Sequence, residues 1–113
     1  MQVALTVWED RISPLFDAAS KLLIVQIHDG RILTKHLEQF ECSSILFCAA
    51  RLDNLGISVL ICGGISEFSE KLIEARGIRV LSFTSGVVEK VLEDYLAGCL
   101  GSCKQTSDKE NNL

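Results

Sequence analysis

Residues 57–83 read ISVLICGGISEFSEKLIEARGIRVLSF, and the succession of patterns in that stretch decides the fold. The run 57–62 is apolar except for Ser58 and is closed by Gly63-Gly64, the mark of a buried strand. Ser66 then caps a helix with Phe68, Leu72 and Ile73 on one face, and Gly77 stops it. A second strand follows at 78–83, Ile-Arg-Val-Leu-Ser-Phe. Two strands joined by a helical crossover lie parallel in one sheet, with the crossover right-handed. Parallel pairs need helices packed on them, so the class is α/β.

Working outward, Thr84 or Ser85 caps a last helix that turns Val87, Val88, Val91, Leu92, Tyr95 and Leu96 inward. Before the crossover, Ser43 or Ser44 caps a helix in which Ile45, Leu46, Ala49, Leu52 and Leu55 recur at helical spacing, ending near Asn54. Two strand-like runs at 22–28 and 31–37 flank Asp29-Gly30, a pair that accepts positive φ at both central positions of a tight hairpin. Residues 3–8 form a first strand. The order is βββαβαβα: a five-stranded mixed sheet whose first three strands are antiparallel. Residues 1–103 are expected to form one domain. Residues 104–113, nearly devoid of apolar side chains, are expected to be a disordered polar tail.

Composition narrows the function. The chain has 113 residues, 48% hydrophobic and 23% charged, which suits one globular domain. A net charge of −4 argues against a nucleic-acid surface. No apolar run approaches the ~18 residues of a membrane span. The N-terminus reads as a strand rather than a signal peptide, so a cytoplasmic setting is expected. In that setting Cys42, Cys48, Cys62, Cys99 and Cys103 are expected to be thiols, either small core residues or soft-metal ligands.

Ligands of open α/β sheets gather beyond the carboxyl ends of the parallel strands. Three segments should meet there: the 9–17 loop after the first strand, Cys62-Gly63-Gly64, and Phe83-Thr84-Ser85-Gly86. The first is long for a strand connection and stiffened by Pro14, the only proline, which fits a pocket wall. Gly63-Gly64 reads either as a plain turn or as a cradle offering backbone N–H groups to an anion. Cys62, ending a parallel strand, is the best single candidate for sulfur chemistry. Cys48 reads as structural and Cys42 as ambiguous. Cys99 and Cys103 have three intervening residues, unlike a zinc knuckle or redox pair, and read either as solvated thiols or as contributors to a pocket-held cluster. His28 and His36 read as exposed edge residues, and Asp17 as a turn or N-cap acid for a short helical turn at Ala18-Ala19-Ser20.

The stretch RISPLFDAASKLLIV resembles the signature loop and strand of the dinitrogenase iron–molybdenum cofactor biosynthesis family. ISVLICGGIS is similar to that family's strand and Gly-Gly turn, and GIRVLSFTSGVVEKVLEDYLAG to its closing strand and helix. The resemblance implies a three-layer ribonuclease H-like fold without nuclease activity. It also implies a non-catalytic carrier or scaffold for a molybdenum–iron–sulfur or molybdenum–copper sulfide cluster. Binding positions carried over are Arg11, Ser13, Pro14, Phe16 and Asp17 in the loop and Gly63 and Gly64 in the turn. Cys62 joins them by position, with Cys99 and Cys103 as further candidate metal ligands outside the shared pattern. Expected partners are cluster donor and acceptor proteins, with the chain a monomer or weak homodimer and neither nucleic acid nor membrane involved.

Two other readings compete. A cofactor-free interaction or regulatory module needs only a sheet edge or tail for docking. A two-metal nuclease needs carboxylates at strand ends, and Val3-Ala4-Leu5-Thr6-Val7-Trp8 holds none.

Overall fold

The computed structural model describes residues 1–41 and 44–98. Its elements are β1 (Gln2–Trp8), β2 (Arg11–Ile12), a 3-10 turn (Phe16–Ala18), β3 (Lys21–His28), β4 (Arg31–Gln39), α1 (Ile45–Asn54), β5 (Ile57–Ile61), α2 (Glu67–Glu74), β6 (Arg79–Leu81) and α3 (Val88–Leu96). The sheet runs β4-β3-β1-β5-β6, with β2 paired to the end of β1. β3 is antiparallel to β1 and β4, whereas β5 is parallel to β1 and β6. The mixed sheet and its parallel crossover are therefore as expected. The addition is β2, which makes six strands of the expected five. It is two residues long, too short to carry any periodicity.

Alternation along each strand sorts the core into two faces. Ala4, Leu22, Ile24, Leu60, Cys62 and Val80 share one face with α1 and α2. Val3, Leu5, Val25, Val59, Ile61 and Leu81 share the other with α3. Helices on both faces bury most of β1 and β5, which is why these runs read as nearly continuously apolar.

Local chemistry explains most boundaries. Asp29 and Gly30 adopt φ of 54° and 74°, as the two-residue hairpin requires. Ser44 and Ser66 accept from Phe47 N–H and Ser69 N–H, at 3.2 and 3.1 Å, and start α1 and α2. α3 departs from expectation. Neither Thr84 nor Ser85 caps it; Val87 stands at the cap position, bridged to Arg11, and Val88 N–H donates to Asp10 carbonyl at 2.9 Å. Thr84 Oγ1 instead donates to Leu81 carbonyl. Leu46 and Phe68, expected inward, are 66% and 67% exposed. Of the two roles expected for Asp17, the structure has the turn acid and not the cap: it lies inside the 3-10 turn, which starts at Phe16, earlier than the expected Ala18.

Candidate functional site

β1, β5 and β6 all point their carboxyl ends to one rim, and the three expected segments meet there. Backbone hydrogen bonds lace them together. Gly64 N–H donates to Pro14 carbonyl at 2.7 Å and Phe16 N–H to Gly64 carbonyl at 2.8 Å. Phe83 N–H donates to Gly63 carbonyl at 2.8 Å, Thr84 N–H to Cys62 carbonyl at 2.9 Å, and Ile12 N–H to Gly86 carbonyl at 2.9 Å. The 9–17 loop is long because it crosses the rim and closes it. It is less a wall around a hollow than a strap.

This changes how the individual residues read. A Cβ on Gly63 would fall well under 3.0 Å from the carbonyl oxygens of Ser13 and Pro14, so glycine is required by the chain's own backbone. Gly64 spends its N–H on Pro14, leaving that donor turned inward. Phe16 is fully buried and meets Phe40 edge-on, ring centroids 5.9 Å apart. Ser13 is buried, with its hydroxyl donating to Leu15 carbonyl at 3.0 Å. Cys62 is fully buried and carries a thiol rather than a disulfide. Arg11 and Asp17 are exposed. Cys48 is disulfide-bonded, which corrects the expectation that every cysteine is a thiol. Cys99 and Cys103, with the 104–113 tail, lie outside the described residues. His28 and His36 are exposed, as expected.

Outside the strap lies an open groove of about 210 Å³ lined by Trp8, Ser13, Pro14 and Ala18. Arg11 is the cross-strand partner of Trp8, one of the residues that line the groove. Its nearest carboxylate is Asp10, at 3.8 Å with both side chains largely exposed, so the pair is weak and the cation remains open to an anion. Leu15 and Phe83, 58% and 74% exposed, flank Gly64 and Gly63. Phe83 holds φ of 57°, a conformation that disfavours a bulky side chain. Beneath the strap, Thr6 Oγ1 is fully buried with no hydrogen-bond partner among the described residues. It neighbours Cys62, since the register sets Leu5 against Ile61.

Sequence reasoning brought Phe83 to the rim without giving its side chain a role, and it missed Trp8, Leu15 and Thr6. Exposure of large apolar groups around one turn is visible only after folding, although a lone tryptophan ending a strand was a usable signal. Chemically, the rim offers a cation, aromatic walls and a thiol one layer down. Among the described residues, no three His, Cys, Asp or Glu side chains group to hold a metal ion.

Comparison with known proteins adds to this geometry. The family described as dinitrogenase iron–molybdenum cofactor matches residues 1–98. The uncharacterized protein MJ0580 of Methanocaldococcus jannaschii is 24% identical over 105 residues, covering 88% of this chain and 89% of its own. The crystal structure of PH0822 superposes with a TM-score of 0.81 at 17% identity, covering 87% of this chain and 90% of that one. A candidate dinitrogenase from Methanocaldococcus jannaschii gives 0.73 at 23% identity, covering 88% and 90%. The apo form of the orange protein from Desulfovibrio gigas gives 0.72 at 19% identity, covering 87% and 88%. At these identities the structures speak for the fold alone.

Proposed function

The chain belongs to the dinitrogenase iron–molybdenum cofactor family, and from that premise we propose that it is a non-catalytic carrier of a metal–sulfur cluster or its molybdenum-containing precursor. The cargo is an anion with soft, polarisable sulfur faces. Arg11 supplies the opposite charge, and Trp8 with Pro14 and Ala18 supplies an apolar bed. Leu15 and Phe83 extend that surface and keep water from the cargo's flank. The strap makes the bed rigid in advance, so little loop entropy is lost on loading.

Cys62 and Thr6 form a second layer. With Gly64 N–H engaged by Pro14, the cargo is held at the outer face of the rim, not inside it. Reaching the Cys62 sulfur requires the 13–16 backbone to lift, which breaks the Gly64–Pro14 and Phe16–Gly64 bonds. At about 0.5–1.5 kcal/mol net each, with about 1.5–3 kcal/mol more for uncovering the fully buried Phe16, that is the cost a strong metal–thiolate bond would have to offset. Thr6 Oγ1, unsatisfied when the strap is closed, would gain a polar neighbour when it opens.

The observation that carries this reading is the exposed Arg11–Trp8 pair at the rim where the strands β1, β5 and β6 end. Anaerobic incubation with tetrathiomolybdate, alone and with copper or iron salts, followed by desalting and elemental analysis, tests it. About one cluster per chain is expected, with a visible absorption band, and Arg11→Ala should lose most of it. Absence of molybdenum after desalting in every mixture would overturn the proposal.

A further inference from the structure

The two faces of the sheet are unequally covered. α1 and α2 pack together on one face, whereas among the described residues α3 is the sole helix on the other. α3 shields the central strands and leaves a strip open where β3 meets the edge strand β4. In that strip Leu23 is half-buried, Ile32 is 37% exposed and Leu37 is 57% exposed.

Between the strip and α3 runs a groove of about 490 Å³ with a floor of Val7, Leu23, Leu37, Val88 and Leu92. It continues past Lys35 and Glu89 into a further 140 Å³ or so beside Ile32 and Leu96. The wall formed by α3 is nine residues, about 13 Å at 1.5 Å per residue. That length accommodates two to three turns of a second helix, which would complete the layer at ordinary helix-packing distance.

Charge specifies the visitor. Among the described residues that line the groove, Glu9, Asp10, Glu89 and Glu93 stand against one cation, Lys35, with Arg11 3.8 Å from Asp10 at the upper end. Glu89 and Glu93 stand one turn apart on α3, beside Leu92 and Leu96 at the same spacing. A helix alternating apolar anchors with Lys or Arg one turn apart matches both rows. Addition of a strand to the β4 edge is a poorer fit. A register shift between Gln26 and Ile27 leaves Leu33 bulged there, and Lys35 interrupts the edge.

We propose that this groove docks a basic amphipathic α-helix presented by a partner protein, with apolar anchors at i, i+3 or i+4, and i+7. The groove's upper end, at Asp10 and Val87, abuts β2, so the docked helix would lie next to the Arg11–Trp8 groove without covering it. The inference is independent of cargo loading.

Fluorescence anisotropy with a labelled peptide of about 15 residues, carrying Leu at that spacing and Lys on the flanks, tests it. The same peptide with Glu replacing every Lys is the control. Saturable binding of the Lys peptide and none of the Glu peptide are expected. The double variant Glu89→Lys/Glu93→Lys and, separately, Leu37→Asp should each weaken binding about tenfold. All three positions are exposed, and circular dichroism checks that the variants fold. Equal binding of the two peptides, or an unaltered affinity in the double variant, would refute the proposal. So would a dimer in sedimentation that Leu37→Asp dissolves, since a second copy would then occupy the groove.

Discussion

Replacing Gly63 by alanine is the sharpest probe of the closed rim. The added methyl would sit well under 3.0 Å from the carbonyl oxygens of Ser13 and Pro14 and 2.8 Å from Pro14 carbonyl carbon. These are backbone atoms of a strap pinned by Gly64 N–H to Pro14 carbonyl and Phe16 N–H to Gly64 carbonyl, so relief means moving the strap. Overpacking costs about 1–3 kcal/mol, and weakening two hydrogen bonds adds about 1 kcal/mol more. A loss of about 2–4 kcal/mol is expected, or roughly 10–20 °C in Tm for a domain of this size. Gly64 supplies the internal control. Its added methyl would meet only the tip of Leu15 at 3.3 Å and Pro14 carbonyl oxygen at 3.4 Å. Neither glycine has positive φ, so conformational strain is not in play. Gly64→Ala should therefore change stability by under about 1 kcal/mol. Urea unfolding of both variants measures the contrast. Equal stability of Gly63→Ala and the parent would refute the packing of strap against turn.

Phe83→Gly should relieve the strain of a left-handed aromatic residue, raising stability by up to about 1 kcal/mol while reducing cluster retention. Lower stability with unchanged loading would contradict its place at the site. Phe16→Ala removes a buried ring from its edge-on contact with Phe40 and should cost about 3–5 kcal/mol; thermal unfolding measures it. Burial raises the Tyr95 phenol above its ordinary pKa of 10.0, with Arg79 partly offsetting the rise. The unfolded chain then loses that proton first, so this contribution to stability is complete below pH 10 and is lost as the pH climbs above it. Tyr95→Phe should flatten that part of the alkaline stability profile, and an unaltered profile would count against the shift.

Much of the scaffold was legible in the sequence because local chemistry dictated it. Asp29-Gly30 admits few turns, Ser66 ahead of Glu67 and Glu70 is a strong helix start, and the strand–helix–strand run from Ile57 compels a parallel pair. What escaped was set by contacts distant in sequence. Val87 is drawn from the last helix by its bridge to Arg11, and Asp10 carbonyl replaces the side-chain cap that Thr84 or Ser85 was expected to give. Helical spacing placed Phe68 and Leu46 inward, but periodicity identifies a stripe, not the partner it faces. At the site, residue types and convergence were readable. That Gly63 accommodates the chain's own Pro14, rather than a ligand, was not, because a glycine looks alike in either role.

Trp8 is the single tryptophan, so its fluorescence reports on the proposed bed for cargo with no competing emitter. An anaerobic titration of the full chain with tetrathiomolybdate, followed at the tryptophan emission, is the most direct trial of the carrier reading. Saturable quenching near one equivalent, lost in Arg11→Ala, is the expected result. Emission that falls no further than for free tryptophan at the same concentrations would contradict it.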